Sequence, residues 1–407
     1  PIWWLQTISL AVLCRALVRA GGARQAAALG LVFASAWLSS TFWWLYVSMH
    51  TYGGLHALLT VAAVAALAAA LGLYYAIACA VFWHLSQKGL WLAAGVFAAA
   101  WTAAELARGT WLTGFGWGAI GYAHVQGPLA AFVPWLGAYG VGALAAWLAA
   151  AVALGGWTKR SLWLAALAVL MAGYGLPAGI WSQTAGTLRV SLLQGNIAQD
   201  EKFQPGTGVR DALLWYGEQL LRTTSALVVA PETAIPLLPE QLPDGYWQAL
   251  QRQFSSGSQA AMIGIPLGSY KLGYTNSVIA LSPGNAEPWQ YDKHHLVPFG
   301  EFIPPLFKWF TALMNIPLGD FNRGPLGQPS FAWQGQRLAP NICYEDLFGE
   351  ELGTRFVEPA LAPTIFVNLS NIGWFGDTFA IDQHLAISRM RALEFERPFV
   401  RATNTGA

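Results

Sequence analysis

Three residues in the carboxyl-terminal half have side chains that together could move an acyl group. Cys343 follows a strand-like stretch, Glu232 ends an apolar one, and Lys293 lies in a segment rich in His and Pro. A thiolate is a strong nucleophile, but a cysteine with the ordinary pKa of roughly 8.5 is only a few per cent ionised at pH 7. A carboxylate that takes the thiol proton and an ammonium that stabilises negative charge would complete the chemistry.

The same residue types also have ordinary structural interpretations. Free cysteine is among the most buried residue types, so a cysteine at a strand end is more often a core residue than a nucleophile. Glu232 could cap a following helix, and Lys293 could be a surface lysine. The adjacent His294 and His295 lack the His-Glu-x-x-His spacing of a zinc site, and we predict neither a metal nor another cofactor.

Composition indicates that much of this 407-residue chain lies in lipid. Only 11% of the residues are charged and 55% are hydrophobic, whereas an ordinary soluble domain has roughly 25% charged residues. The net charge is +1 and no basic patch stands out, which argues against a nucleic-acid partner. We predict a transmembrane helical domain over residues 1–186 and a soluble α/β domain over residues 187–407.

The amino-terminal half contains six apolar stretches close to the roughly 20 residues that a membrane span needs. They cover residues 3–20, 26–49, 55–85, 90–107, 128–154 and 161–181, and the third is long enough to be tilted or broken. Lys and Arg concentrate in the first, third and fifth connecting loops, which therefore face the cytoplasm. The sixth span would deliver residues 187–407 to the outer side. The start without Met and the end in mid-pattern predict further spans missing at each terminus.

The elements of the α/β domain must bring the reactive side chains together. Helical patterns cover residues 208–223, 245–255 and 379–396. The β-rich segments are residues 188–194, 226–230, 261–265, 275–281, 338–344, 364–369 and 399–403. Glu232, Cys343 and Asn368 come at or just past predicted strand ends, where α/β folds usually place their sites.

Three motifs of this domain resemble the Glu-Lys-Cys triad of the nitrilase superfamily. They are Pro-Glu-Thr-Ala at residues 231–234, Tyr-Asp-Lys-His-His-Leu-Val-Pro-Phe-Gly-Glu-Phe-Ile-Pro at residues 291–304, and Ile-Cys-Tyr-Glu at residues 342–345. Together with the multi-span α-helical membrane domain, they resemble the apolipoprotein N-acyltransferases, bacterial inner-membrane enzymes that add the third acyl chain to lipoproteins. Further matching stretches lie at residues 193–197, 323–325, 371–376 and 383–404.

The resemblance implies a nitrilase-like αββα sandwich on the periplasmic side of the bacterial inner membrane. It implies catalytic roles for Glu232, Lys293 and Cys343 and supporting roles for Glu301, Tyr344 and Glu345, and we expect lipid contacts at Phe203, Trp309 and Trp374. The family tends to have Trp at the position of Phe203 and Asp at that of Ile372, and the first departure could alter a lipid contact. The apolar segment 304–314 is interpreted as a membrane-dipping lid.

The resemblance further implies a two-step acyl transfer without a cofactor. Cys343 would take an acyl chain from a phospholipid, with phosphatidylethanolamine as the expected donor, and form a thioester. The chain would then pass to the α-amino group of the diacylglyceryl-cysteine of an apolipoprotein. Glu232 would carry the protons, and Lys293 would support the oxyanion. An ester thereby becomes an amide without an external energy source.

Two other functions remain open from the residues. A membrane-anchored amidase or nitrilase would use the same triad with water as the final acceptor, although the apolar segment 304–314 favours a lipid donor. A transporter with an outer regulatory domain is a different class, but acidic residues are nearly absent from residues 1–181. Glu105 and Arg108 in that half are predicted to form a structural pair, and His384 is predicted to be a packing or hydrogen-bonding residue.

Overall fold

The computed structural model describes residues 2–86, 89–155, 160–177, 179, 181–269, 271–285, 287–304 and 321–406. Contacts divide the chain into two compact units. The helical unit contains Pro1–Tyr46, His56–Gln183 and Ala386–Glu396, and the α/β unit contains Val47–Leu55, Thr184–Leu385 and Arg397–Ala407. Trp309 and the predicted lid beyond residue 304 lie outside the described residues.

Six helices follow the six apolar stretches of the amino-terminal half. They are α1 (Trp3–Val18), α2 (Ala23–Thr41), α3 (Ala57–Leu85), α4 (Leu90–Thr110), α5 (Val133–Gly155) and α6 (Arg160–Gly175). Their sequences are rich in Ala and Leu, which favour helix formation, and small residues let neighbouring helices approach closely. A Cβ added at Gly30 of α2 would lie 2.8 Å from the carbonyl oxygen of Tyr75 in α3.

Not all of these helices are long enough to cross a bilayer by themselves. Within the described part of the chain, Ala57–Leu85, Leu90–Thr113 and Pro128–Gly155 have the length and composition of membrane spans. Trp3–Val18 and Arg160–Gly175 are shorter apolar helices. The third predicted span is one unbroken helix of 29 residues, longer than the roughly 20 that a bilayer requires. The number of about six spans stays a prediction.

A buried charged cluster occupies the end of α4. Arg108 Nη1 donates to the carbonyl oxygens of Phe115 and Trp117 at 2.6 and 2.8 Å, and its Nε lies 3.1 Å from the hydroxyl of Tyr75. Glu105 Oε1 accepts the backbone N–H of Ile120 at 2.8 Å. Both charged side chains therefore anchor the segment that follows α4, which is a structural role, but the predicted pair between Glu105 and Arg108 is not among the ion pairs observed for the described residues.

The α/β unit contains two β-sheets. The first has the order β1-β2-β3-β4-β5 and the second the order β6-β7-β8-β9. The strands are β1 (Val190–Leu192), β2 (Leu227–Ala230), β3 (Ala260–Ser269), β4 (Gly273–Leu281), β5 (Trp289–Asp292), β6 (Phe331–Trp333), β7 (Gln336–Ile342), β8 (Ile365–Ser370) and β9 (Phe399–Thr403). The pairs β1-β2, β2-β3, β7-β8 and β8-β9 are parallel, and the other neighbours are antiparallel.

Helices and the second sheet cover opposite faces of the first sheet. The helices that lie wholly in this unit are α7 (Gly208–Arg222), α8 (Tyr246–Ser256) and α9 (Gly349–Gly353), whereas α10 (Ala380–Phe395) begins in this unit and is assigned to the helical unit from Ala386 onward. Successive side chains of a strand point to opposite faces. Val228 therefore packs with Phe254 of α8, whereas its neighbour Val229 packs with Leu338 and Val367 of the second sheet. The expected α/β sandwich is confirmed.

The sequence-based strands correspond to seven of the nine observed strands. The two missed strands, β5 and β6, are short and carry mixed polar and aromatic residues that give little periodic signal. The strand predicted to reach residue 344 ends at Ile342, because the backbone turns at Cys343. The expectation for Asn368 is wrong, since Asn368 lies inside β8, where it is fully buried and pairs in register with Asn341 of β7.

Candidate active site

Cys343 lies at a sharp turn between β7 and a 3₁₀ turn over Cys343–Leu347. Its φ of 51° is in the left-handed region, which non-glycine residues adopt at a cost of roughly 1–2 kcal/mol. The carbonyl oxygen of Cys343 accepts a hydrogen bond from Asn368 Nδ2 at 3.1 Å and lies 3.2 Å from His384 Nε2. These contacts hold the strained backbone that lifts the thiol off the strand.

Glu232 lies in the turn after β2 and is held by both carboxylate oxygens. Oε1 accepts from Asn276 Nδ2 at 2.8 Å, and Oε2 accepts from the backbone N–H of Asn371 at 2.9 Å. A Cβ at Gly264 of β3 would lie 2.7 Å from the Cα of Glu232, so glycine permits the turn to pack directly on the sheet. Glu232 is buried, and its orientation does not depend on solvent.

Lys293 follows β5 and forms the closest ion pair of the site. Its Nζ lies 2.9 Å from Glu301 Oε1 and 3.5 Å from Glu232 Oε1, and the side chain is 1% exposed. The backbone is fixed as well, since its N–H donates to the carbonyl of Asn276 and its carbonyl accepts from Gly324. Glu301 is thus the nearer partner of the ammonium, and its supporting role stays a prediction.

The surroundings of the Cys343 thiol favour its protonated form. Burial and then the negative charge of Glu232 raise the pKa of Cys343 to about 12, against the opposing effect of Lys293. Burial alone would lower the pKa of Lys293, but Glu301 and Glu232 outweigh it and raise that pKa above its usual value. A thiol with a raised pKa needs a base that removes its proton during attack, and the Glu232 carboxylate, whose charge acts on the thiol, is the candidate base.

Glu345 connects the segment that carries Lys293 with the strand that carries Cys343. Its carboxylate accepts from the backbone N–H groups of His294, His295 and Ile342 at 2.8, 3.2 and 2.6 Å. The hydroxyl of Tyr291 donates to it at 2.9 Å. Burial raises the pKa of Glu345, whereas these N–H groups and Lys293 lower it. Glu345 does not touch the thiol in any observed hydrogen bond and acts on the geometry of its neighbours.

Comparison with known proteins decides between the families that this geometry allows. A family model described as the apolipoprotein N-acyltransferase N-terminal domain matches residues 1–151, and a carbon-nitrogen hydrolase model matches residues 189–407. An apolipoprotein N-acyltransferase of Verminephrobacter eiseniae is 58% identical over an alignment that covers 100% of this chain and 80% of the relative. This chain belongs to the apolipoprotein N-acyltransferase family.

Other relatives agree with this membership. An apolipoprotein N-acyltransferase of Ralstonia nicotianae is 46% identical over 100% of this chain and 78% of its own length. Among solved structures, an amidase from Nesterenkonia sp. is 15% identical and covers 56% of this chain and 80% of its own, with a TM-score of 0.38. That structural likeness is too low to indicate a shared activity.

Two of the three aromatic residues expected to contact lipid, Phe203 and Trp374, are among the described residues. Phe203 stacks on Trp374 with ring centroids 6.4 Å apart, and Tyr52 meets Trp374 edge-on at 5.8 Å. Phe203 and Trp374 are partly exposed. Tyr344 instead packs inward, 5.2 Å from the ring of Phe348, and is 5% exposed. Lipid contact stays a prediction for Phe203 and Trp374.

Sequence reasoning missed three residues that complete the site in this member of the family. Asn276 of β4 donates to both Glu232 and Glu301 at 2.8 Å, and Asn371 orients Glu232 through its backbone. Lys202 is buried and donates to the carbonyl oxygen of Glu232 at 3.0 Å. A polar Asn within the apolar run of β4 was the available signal for Asn276. No local pattern distinguishes Lys202 from a surface lysine.

A second buried polar cluster, formed by His384, Asp346 and Arg401, contacts the backbone carbonyl of Cys343 through His384. His384 Nε2 lies 3.1 Å from Asp346 Oδ1, and His384 Nδ1 lies 2.8 Å from a terminal nitrogen of Arg401. Because arginine only donates, Nδ1 accepts and the proton is on Nε2, which can then donate to Asp346 and to the Cys343 carbonyl. His384 is therefore a hydrogen-bonding residue, as its sequence context predicted.

Proposed function

We propose that this protein transfers an acyl chain from a phospholipid to the α-amino group of the diacylglyceryl-cysteine of an apolipoprotein, through a thioester at Cys343. The observation that carries this proposal is the buried cluster in which Lys293 lies 3.5 Å from Glu232 and 2.9 Å from Glu301, with the charges of Glu232 and Lys293 acting on the Cys343 thiol. Family membership supports the acceptor, since the named relatives are apolipoprotein N-acyltransferases.

In the first half-reaction, the Cys343 sulfur attacks the ester carbonyl while its proton passes to Glu232. The negative charge moves from the Glu232 carboxylate to the carbonyl oxygen, where the Lys293 ammonium can stabilise it. Collapse of the tetrahedral intermediate breaks the ester C–O bond, and Glu232 returns the proton to the leaving alkoxide. The products are a lysophospholipid and the Cys343 thioester.

In the second half-reaction, the neutral α-amino group of the acceptor attacks the thioester carbonyl. Glu232 takes a proton from the nitrogen, and Lys293 again supports the oxyanion. The C–S bond breaks, the sulfur regains a proton from Glu232, and the product is an amide. Glu301 holds Lys293 at 2.9 Å throughout, so the ammonium stays aimed at the position where charge develops.

The membrane context of the substrates follows from the rest of the chain. Helices long and apolar enough to cross a bilayer are present among the described residues, which suits a phospholipid donor, and we propose phosphatidylethanolamine. The distribution of Lys and Arg supports a periplasmic α/β unit at the bacterial inner membrane. Phe203 and Trp374 are the proposed contacts for the acyl chains.

Intact mass spectrometry of the full-length protein after exposure to phosphatidylethanolamine tests the proposal. We expect an added acyl mass that hydroxylamine removes and that is absent from Cys343→Ser. Addition of a diacylglyceryl-cysteine peptide should discharge the adduct onto the peptide amine. Discharge to free fatty acid at the same rate with and without the peptide would instead indicate a hydrolase, and no adduct on folded protein would reject the thioester.

A further inference from the structure

Lys202 places a second buried ammonium beside the proposed base. The side chain is 1% exposed, and its Nζ donates to the carbonyl oxygen of Glu232 at 3.0 Å. Its backbone is tightly held, because its N–H donates to the carbonyl of Ala198 and a Cβ at Gly208 would lie 2.7 Å from that nitrogen. Close packing of the Lys202 backbone therefore positions its ammonium against the turn that contains Glu232.

An ammonium has three N–H donors, and burial of a charge is costly unless partners compensate it. Among the described residues, the carbonyl of Glu232 is the single hydrogen-bond acceptor observed for Lys202. The charged groups that face it are Glu232, after β2, and the ionisable thiol of Cys343, after β7. Lys293 differs, because Glu301 lies nearer to it than Glu232 does. Among the described residues, Glu232 is the carboxylate whose charge acts on Lys202.

We propose that Lys202 is a positioning residue that fixes the Glu232 turn through its hydrogen bond and keeps the Glu232 carboxylate ionised through its charge. An ionised carboxylate is the form that can accept the Cys343 proton, so the inference rests on the proposed function. A purely structural lysine would fix the turn but would not influence the protonation of Glu232. The two roles therefore differ in how the reaction responds to pH.

The Lys202 side chain is charged in the pH range in which the proposed reaction requires an ionised Glu232 carboxylate. Burial lowers the pKa of Lys202 to about 8, while Glu232 and Cys343 oppose the decrease, so the ammonium is present at pH 7 and below. A nearby opposite charge favours the ionised form of a carboxyl group. Removal of the Lys202 charge should therefore move the acidic limb of the acylation rate to higher pH.

The test measures the rate of thioester formation from phosphatidylethanolamine between pH 4.5 and 9 on the full-length protein. Lys202→Gln retains a hydrogen-bond donor without the charge, and Lys202→Arg retains the charge. We expect the acidic midpoint of Lys202→Gln to rise by about one pH unit or more and the rate to recover at pH 9. Lys202→Arg and the exposed-lysine control Lys271→Gln should keep the wild-type midpoint.

An unchanged midpoint in Lys202→Gln would overturn the proposal, whatever the rate. If that variant does not fold, Lys202→Met is measured in the same way, and failure of both neutral variants to fold at any pH would assign Lys202 a structural role only. Absence of a hydroxylamine-sensitive adduct on the wild type at every pH would reject the proposed function itself. An adduct with unshifted midpoints rejects the role of Lys202 alone.

Discussion

Both units of this molecule bury charged side chains, but they use them differently. In the helical unit, Arg108 and Glu105 bind backbone groups of the segment over residues 115–120, which directly follows their own helix. In the α/β unit, Lys293 meets Glu232 across 61 residues of sequence and Glu301 across eight. The first cluster holds the segment that follows its own helix, with one further contact to Tyr75 of α3, whereas the second joins side chains from distant segments whose charges act on Cys343.

The difference predicts which buried charges stabilise the fold and which serve the proposed reaction. Charges that satisfy backbone groups hold a segment in place, and removal of one partner leaves the others buried without compensation. Charges that lie close to one another and to a buried thiol shift one another's pKa values, and their burial is costly for the fold. We therefore expect changes in the α/β cluster to affect the rate and changes in the helical cluster to affect stability.

The largest expected effect is on the rate, for Glu232→Gln. The amide keeps an acceptor for the Asn371 N–H but cannot take the Cys343 proton, so thioester formation should fall by roughly 10³-fold. The unfolding temperature should stay within about 2–4 °C of the wild type. The exposed Glu240→Gln is the matched control and should acylate normally. Normal acylation by Glu232→Gln would remove Glu232 from the reaction.

Arg108→Met should have the opposite profile. It leaves the Phe115 and Trp117 carbonyls and the Tyr75 hydroxyl without the Arg108 guanidinium, and each buried polar group left unsatisfied costs about 1–3 kcal/mol. Less folded protein should be recovered, but acylation per folded molecule should stay within about three-fold. The double variant Glu105→Leu/Arg108→Met also loses the acceptor of the Ile120 N–H and should be no more stable than Arg108→Met. A large loss of specific activity would contradict the division of roles.

Glu301→Gln should give a smaller loss of rate. The amide keeps the acceptor for Asn276 but loses the charge that holds Lys293 at 2.9 Å. A misplaced ammonium should slow acylation by roughly 10²-fold with the fold intact. The exposed Glu287→Gln provides the control in the same assay. Equal rates for Glu301→Gln and wild type would show that Glu232 alone orients Lys293.

The smallest effect is a gain of stability in Lys202→Met. Burial lowers the pKa of Lys202 to about 8 from the usual 10.5, so the folded protein binds fewer protons than the unfolded chain between these values. Stability should therefore rise as pH increases from about 8 to about 10.5, and the cost of the buried charge is fully present at pH 7.

Lys202→Met should accordingly be more stable than the wild type by about 2 kcal/mol at pH 7, since one hydrogen bond of about 1 kcal/mol is lost with the charge. The advantage should disappear as the pH approaches 10.5. Thermal unfolding in detergent at pH 7, 8, 9 and 10 measures it. A variant that is less stable at every pH would place Lys202 with Arg108, among the charges that stabilise the fold.

The sequence by itself determined the elements and the chemical types. Apolar runs and alternating β-branched residues produced the six helices of the amino-terminal half and seven of the nine strands, because these signals depend on local periodicity. The motifs around Glu232, Lys293 and Cys343 identified the residues able to act as base, cation and nucleophile. The occurrence of all three motifs in one chain also indicated the family, and relatives aligned over the whole of this chain then established it.

Only the tertiary structure decided how these side chains meet. It placed Asn276 between two carboxylates and set Glu301 closer to Lys293 than Glu232 is. It also brought the Lys202 ammonium to the main-chain carbonyl of Glu232. It also gave Cys343 its positive φ and its raised pKa. Distances, burial and desolvation arise from contacts between residues far apart in the chain, and no local pattern encodes them.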